Sequence, residues 1–179
     1  NNKNTAIGAI IGATVGGAAG AIIGQHMDKQ AEKLREDLGN VAKVERVGEG
    51  VKLTFDNALL FDFGSFLLRT ETQESLKKMA QTLSNDQNTN LLVEGHTDNV
   101  GSETFNRELS NKRAQAVSNF LVSQGVATSR FKVVAQGEAN PVSSNNTETG
   151  RQQNRRVEIA LYANEEMKKA AQNGAISLK

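Results

Sequence analysis

The sequence has no cysteine among its 179 residues, which removes both a disulfide framework and a thiolate metal site. Histidine is almost as scarce. His26 and His96 are the only two, a poor ligand set for a metal, and no cofactor is expected. Charge of one sign is missing as well: 21 basic and 20 acidic side chains leave a formal net charge of +1. With no broad field to steer the chain to nucleic acid or anionic lipid, any charge recognition has to be local. From Asn1 onward there is no charged n-region followed by an apolar h-region and a cleavage site, so the sequence reads as a mature or trimmed chain.

Residues Ala6 to Gly24 are Ala, Ile, Val and Gly with Thr14 as the one polar side chain, preceded by the lone charge of Lys3. Gly8, Gly12, Gly16, Gly20 and Gly24 recur every fourth residue. On a helix they form a smooth stripe that another backbone can approach closely, a glycine zipper. At about 1.5 Å per residue the run covers roughly 28 Å, so a transmembrane span is geometrically open. Glycine is a poor helix former, however, and Gly16-Gly17 can break the run into a hairpin of two short helices packed Gly-face to Gly-face, with self-association as a related outcome. The hairpin is the favoured expectation. From Gln25 to Gly39 the pattern turns charged, with Met27, Ala31, Leu34 and Leu38 at helical spacing and Gly39 as a stop, an amphipathic connector that docks one thin stripe.

Residues 40–163 read as one α/β (α+β) domain. Val41, Val44 and Val47 precede the Gly48-Glu49-Gly50 turn, and Val51, Leu53 and Phe55 alternate after it, which predicts an antiparallel hairpin. Thr70 with Gln73 offers a capping box for a helix whose buried stripe is Leu76, Met79, Ala80 and Leu83. Leu91 to His96 is a short apolar strand. Ser102 or a neighbour caps a longer helix, with Phe105, Leu109, Ala116, Val117, Phe120 and Leu121 on its buried face and Gly125 at its end. Phe131 to Ala135 is another strand. A last strand carries Val157, Ile159 and Leu161 alternating with Arg156, Glu158 and Ala160, and is expected to be half exposed. Residues 164–179 form a polar tail or short helix, and residues 1–39 stand apart as zipper and connector.

The run from Leu92 to Gly101 places Thr97 and Asp98 where a strand passes into a glycine-containing loop, a common setting for binding groups. Asn106, Ser110 and Arg113 then fall at i, i+4 and i+7 on the next helix, one polar stripe beside the buried face. By themselves these residues are also consistent with a cap and a surface ion pair.

The run GHTDNVGSETFNRELSNKRAQAV closely resembles the signature of the OmpA-like family, shared by the C-terminal domain of OmpA, the lipoprotein Pal and the stator protein MotB. LLFDFGS at Leu59 to Ser65, GEANP at Gly137 to Pro141 and NRRVEI at Asn154 to Ile159 agree in order and spacing. The resemblance implies a two-layer domain, a small mixed β-sheet with helices on one face, preceded here by the glycine-zipper helical segment. It also implies a ligand: the peptidoglycan stem peptide bearing meso-diaminopimelate, whose far end holds an ammonium and a carboxylate on one carbon. By that resemblance Asp98 accepts from the ammonium, and Arg113 forms two parallel bonds to the carboxylate, a geometry lysine cannot reproduce. Asn106, Thr97 and the backbone at Gly101 position neighbouring groups, Leu109 supplies apolar contact, and Arg156 helps hold the stem peptide. Phe61 and Phe63 read as core or pocket wall. In an empty site Asp98 and Arg113 are expected to be exposed.

The whole chain resembles the type of outer-membrane lipoprotein in which a glycine-zipper segment precedes an OmpA-like domain. That places it in the periplasm of a Gram-negative envelope, tied to the outer membrane by a lipid anchor or by the zipper, with homo-oligomerisation open. A peptidoglycan hydrolase is disfavoured, because nothing joins a nucleophile to a base among His96, Asp98 and Ser110. A stator subunit is disfavoured too: an ion-conducting span needs an ionisable group, and Ala6 to Gly24 has none. The remaining alternative makes zipper-driven assembly or membrane insertion the main function and the wall domain a tether.

Overall fold

The structure, a computed structural model, describes residues 4–174. Lys3 and the end of the polar tail beyond residue 174 lie outside the described residues. Five strands form one mixed sheet: β1 (Ala42–Val47), β2 (Gly50–Asp56), β3 (Thr89–His96), β4 (Phe131–Gly137) and β5 (Arg156–Ala163), in the order β1-β2-β5-β3-β4. Only the β3–β4 pair is parallel. The predicted alternation sets the faces, since Val51, Leu53 and Phe55 of β2, Leu91 and Val93 of β3, and Val157, Ile159 and Leu161 of β5 all enter one core.

The core is closed by α2 (Gly17–Leu38), α4 (Thr70–Asn85), α5 (Glu103–Ser123) and α7 (Glu165–Gln172), which bring apolar stripes at helical spacing. From α2 come Ile23, Met27, Ala31, Leu34 and Leu38; from α4 come Leu76, Met79, Ala80 and Leu83. Met167 and Ala171 of α7 join the same cluster, so the tail is a packed helix as far as Gln172. The capping box at Thr70 does not form. Arg69 takes the cap position without a side-chain bond, and Gln73 donates to Leu68 O instead.

The glycine-rich segment behaves differently from the expected hairpin. Helix α1 (Ala6–Gly12) and α2 are separated at Gly16 and Gly17, which take φ of 73° and 62°, values that glycine adopts without a Cβ penalty. The break is where the sequence puts it, but the helices are not packed Gly-face to Gly-face. Instead α1 crosses to the opposite face of the sheet, where Ala6, Ala9 and Ile10 cover Leu92 of β3 and Ala160 of β5. On α2 the glycine stripe receives side chains of the β1–β2 hairpin: Glu49 lies against Gly20, and Arg46 donates to Gly24 O at 3.1 Å. Glu49 also accepts from Val15 N and Gly16 N, each at 2.9 Å, which ties the break to the hairpin turn. Among the described residues no helix is long and apolar enough to cross a membrane.

Crossing of α1 also corrects the reading of the last strand. β5 is central in the sheet and buried on both sides, with α1 over Ala160 and charged neighbours around Arg156 and Glu158. Helices therefore lie on one face as a layer, and α1 adds a single short helix to the other.

Two substitutions test this packing by urea denaturation. Ile10 is 1% exposed, so Ile10→Ala should cost about 2–5 kcal/mol, whereas Gly12→Ile on the exposed side of α1 should stay within about 0.5 kcal/mol. A neutral Ile10→Ala would mean that α1 is not docked on the sheet.

Candidate functional site

At the end of β3 the backbone of α5 comes so close that a Cβ on Gly95 would overlap Ser110 O. That approach fixes the helix. The buried stripe of α5 is Asn106, Ser110, Arg113, Ala114, Val117, Ser118 and Leu121, while Phe105 is exposed and Leu109 half-buried. The polar stripe that the sequence places beside the buried face is thus its N-terminal half, turned onto the sheet end. Ser102 caps the helix as expected, its Oγ accepting from Phe105 N at 3.1 Å.

The loop after β3 is held from several sides. Thr97 N donates to Gly137 O at 2.8 Å, and Thr97 Oγ1 donates to Asp98 O at 2.8 Å. Asn106 Nδ2 reaches the same Asp98 carbonyl at 3.3 Å. Gly101 at φ 98° turns the loop against Asn106. Thr97, Asn106 and Gly101 therefore fix the direction of the Asp98 side chain. Its Oδ1 accepts from Val100 N at 2.9 Å and its Oδ2 pairs with Arg155 Nη1 at 2.7 Å. A carboxylate has about four lone-pair sites, so acceptor capacity remains.

Arg113 lies across the cleft from this loop. Its Nε donates to Ser65 O at 3.0 Å, and its guanidinium lies over the Phe61 ring, 5.4 Å from the centroid. It is 6% exposed, and among the described residues no carboxylate lies within ion-pairing distance of it. Burial, and then the nearby charge of Arg155, pull its ionisation below the ordinary guanidinium value, against the opposing effect of Asp98. Asp98 is likewise only 7% exposed. The expected exposure of both residues is corrected here: a loop and a helix end enclose them, and each already has polar partners.

The cleft between them has a volume of about 600 Å³ and opens between Phe63, Val100, Phe105 and Leu109, with Glu148, Arg151 and Arg155 on the far wall. Arg155 caps α6 (Glu148–Asn154) and bridges Asp98 to Glu148 Oε1, 2.6 Å from its Nη2. Arg151 holds the other oxygen of Glu148 at 3.0 Å. Two of the three arginines in the cleft are thus neutralised internally, and Arg113 is not.

Six of the seven residues singled out in the sequence line this cleft; Arg156 does not. As the first residue of β5, it alternates with the core-facing Val157 and points to the opposite face of the sheet. There its Nε is 3.0 Å from Glu158 Oε2, and Nη2 donates to Asn140 O at 3.1 Å. Its neighbour Arg155, one position before the strand, is the arginine of NRR that enters the site. The alternation of β5 already carries that signal, because residues on Arg156's parity must leave the core face. Phe63, Val100, Phe105, Glu148 and Arg151 are further lining residues that sequence reasoning left out.

Beneath α1, Arg156 belongs to a buried charge cluster. His96 Nε2 lies 3.2 Å from Glu158 Oε2 and 3.4 Å from Glu94 Oε1, and Glu94 Oε1 also accepts from Ala6 N at 3.1 Å. Burial opposes both ionised forms. It is outweighed in His96 by Glu158 and Glu94, which raise its pKa, and in Glu158 by His96, Arg156 and Lys52, which lower its pKa to about 2.

Residues 60–155 match the OmpA family and residues 1–31 match the glycine zipper. The chain is 40% identical over 162 residues to "Probable lipoprotein YiaD" of Escherichia coli, covering 90% of this chain and 74% of that protein. It is 34% identical over 127 residues to the peptidoglycan-associated lipoprotein of Brucella melitensis, covering 70% and 76%. Among solved structures, the cell wall anchor of the T6SS from Pseudomonas aeruginosa superposes with a TM-score of 0.66 at 32% identity, over 75% of this chain and 97% of that one.

The charge cluster predicts a pH window for stability. Glu158 contributes fully above its ordinary value of 4.5 and loses that contribution as pH falls toward 2. His96 contributes fully below its ordinary 6.5 and loses that contribution as pH rises through its raised value. The difference in Tm between the parent and His96→Gln should be largest between these limits and shrink above pH 6.5; a difference that grows with pH would contradict the assignment.

Proposed function

The chain belongs to the OmpA family, and from that premise we propose that it binds diaminopimelate-type peptidoglycan non-covalently and tethers the outer membrane to the wall. The observation that carries this reading is Arg113, a buried guanidinium without an acidic partner among the described residues, opposite an Asp98 carboxylate of fixed direction. A cation buried in this way favours an incoming carboxylate, and the geometry of two parallel N–H bonds suits it. Asp98 retains acceptor sites for the ammonium on the same ligand carbon. Phe63, Val100, Phe105 and Leu109 line the cleft beside the pair, and a ligand seated against these exposed and half-buried side chains displaces water from them, which strengthens both interactions. The names of the relatives support this ligand and location: one is peptidoglycan-associated and one is a cell wall anchor.

The work of such a site is binding. Asp98 is committed to Val100 and Arg155, and Ser110 Oγ donates to Arg107 O and accepts from Gly137 N. Neither is joined to a base in the manner of a hydrolytic nucleophile. The glycine segment is a packed part of the domain, with α1 on one face of the sheet and α2 on the other, so a tether acting through it would pull directly on the folded domain.

Sedimentation with purified walls tests the proposal. Arg113→Lys keeps the charge and loses the planar fork, so binding to diaminopimelate walls should fall about tenfold or more, the scale of a lost bond to a charged group. Walls carrying lysine at that position lack the distal carboxylate and should bind the parent as weakly. Equal binding of the parent to both walls would remove Arg113 from the ligand. Asp98→Ala should also lower stability, by about 1–3 kcal/mol, because it strips a buried partner from Arg155 and Val100 N.

A further inference from the structure

Arg113 has a cavity on each side. Beyond it from the main cleft lies a second one of about 250 Å³, walled by Asn57, Phe61, Asp62 and Arg69, with Phe63, Arg113 and Arg155 shared between the two. Its wall is short of internal partners for its donors. Arg69 donates to Ala58 O at 3.4 Å and has its two acidic neighbours, Asp62 and Glu71, at 3.6 Å, beyond good hydrogen-bond length and both largely in solvent. Ion pairs of that kind are weak and easily exchanged. Asn57 is buried, and its Nδ2 donor makes one long bond, to His96 O at 3.4 Å, while its Oδ1 is an acceptor and offers nothing to an anion. The rim is held by α5 itself: Arg113 fixes Ser65 O, and Lys112 Nζ stands 5.3 Å above the Phe66 ring.

We propose that this second cavity is a carboxylate subsite, read by Arg69 together with Arg113, and that it takes the free α-carboxylate of the γ-linked glutamate that precedes diaminopimelate in the stem peptide. This rests on the wall-binding reading. In such a peptide the glutamate is joined through its side-chain carboxyl, so its α-carboxylate stays ionised. It is separated from the distal zwitterion by a run of flexible single bonds that can straddle one arginine side chain. A ligand whose zwitterion lies between Asp98 and Arg113 has its backbone leaving past the shared Arg113 and Phe63, toward Arg69. There a second negative charge meets a guanidinium held only by exchangeable partners, while an uncharged amide at the same place would gain much less. Asp62 works against the incoming charge and is, among the described residues, the one acid lining that cavity. The consequence is specificity: the site distinguishes stem peptides whose glutamate is free from those in which it is amidated.

Calorimetry with two soluble tetrapeptides, each containing diaminopimelate and differing only in glutamate against its α-carboxamide, tests this on the full chain. The parent should bind the glutamate form about tenfold more tightly, the scale of a hydrogen bond to a charged group. Arg69→Gln should abolish that preference while keeping the preference for diaminopimelate over lysine, and Asp62→Asn should widen it. Because Arg69 takes the cap position of α4, a Tm scan of Arg69→Gln checks that the variant is folded, and Asp62→Asn provides an independent arm in any case. Equal affinity of the parent for both peptides, or an Arg69→Gln variant that still prefers glutamate, overturns the subsite and leaves the Asp98–Arg113 reading standing. Failure of the parent to bind either peptide overturns both.

Discussion

The close approach of α5 to β3 at Gly95 is the constraint on which the site depends. With no Cβ at that position, the Ser110 backbone rests against the strand, and the polar half of the helix is pressed onto the sheet end. Three consequences follow from this one contact. Asn106 reaches the carbonyl of Asp98, Ser110 accepts from Gly137 N, and Arg113 is carried below the surface, with its guanidinium over Phe61. Any residue with a side chain at position 95 would lift the helix and take all three away together.

Arg113 is buried with no carboxylate in ion-pairing distance among the described residues, which leaves its guanidinium with an unmet electrostatic demand. Removing a guanidinium from water is costly unless it is paired, and here the compensation is partial: one carbonyl and one aromatic face. Arg155 and Arg151, by contrast, are neutralised by Asp98 and Glu148 within the cleft. The acids of the cleft thus pair with the arginines that brace its loops, and among the described residues none pairs with Arg113. On the other face of the sheet the next arginine of the same motif, Arg156, pairs with Glu158 beneath α1.

Much of this was legible in the sequence, and the failures have physical causes. Period-two alternation located β2 and the core face of β5, and a 3.6-residue period located the stripes of α2 and α4, because those segments each bury one face. For α5 the period misleads: Phe105 is apolar and its spacing predicts the interior, yet the glycine contact rotates a polar stripe inward and leaves the ring at the cleft rim. β5 was read as half exposed since local alternation cannot reveal that α1, more than 140 residues earlier, returns to cover it. Arg155 lines the cleft and Arg156 faces the opposite side of the sheet, a difference that the strand's own alternation carries. The break at Gly16-Gly17 was visible, but the destination of α1 depended on Leu92 and Ala160, which lie far away in the chain.

The central claim is that Asp98 and Arg113 divide the two charges of one zwitterion between them. A crystal structure of the full chain soaked with meso-diaminopimelate alone addresses it most directly. The account predicts the ligand carboxylate on the guanidinium of Arg113 through two parallel bonds, the ammonium on Asp98, and Arg155 still paired with Glu148. A ligand bound elsewhere, or one whose carboxylate pairs with Arg155 while Arg113 keeps only Ser65 O, would contradict it.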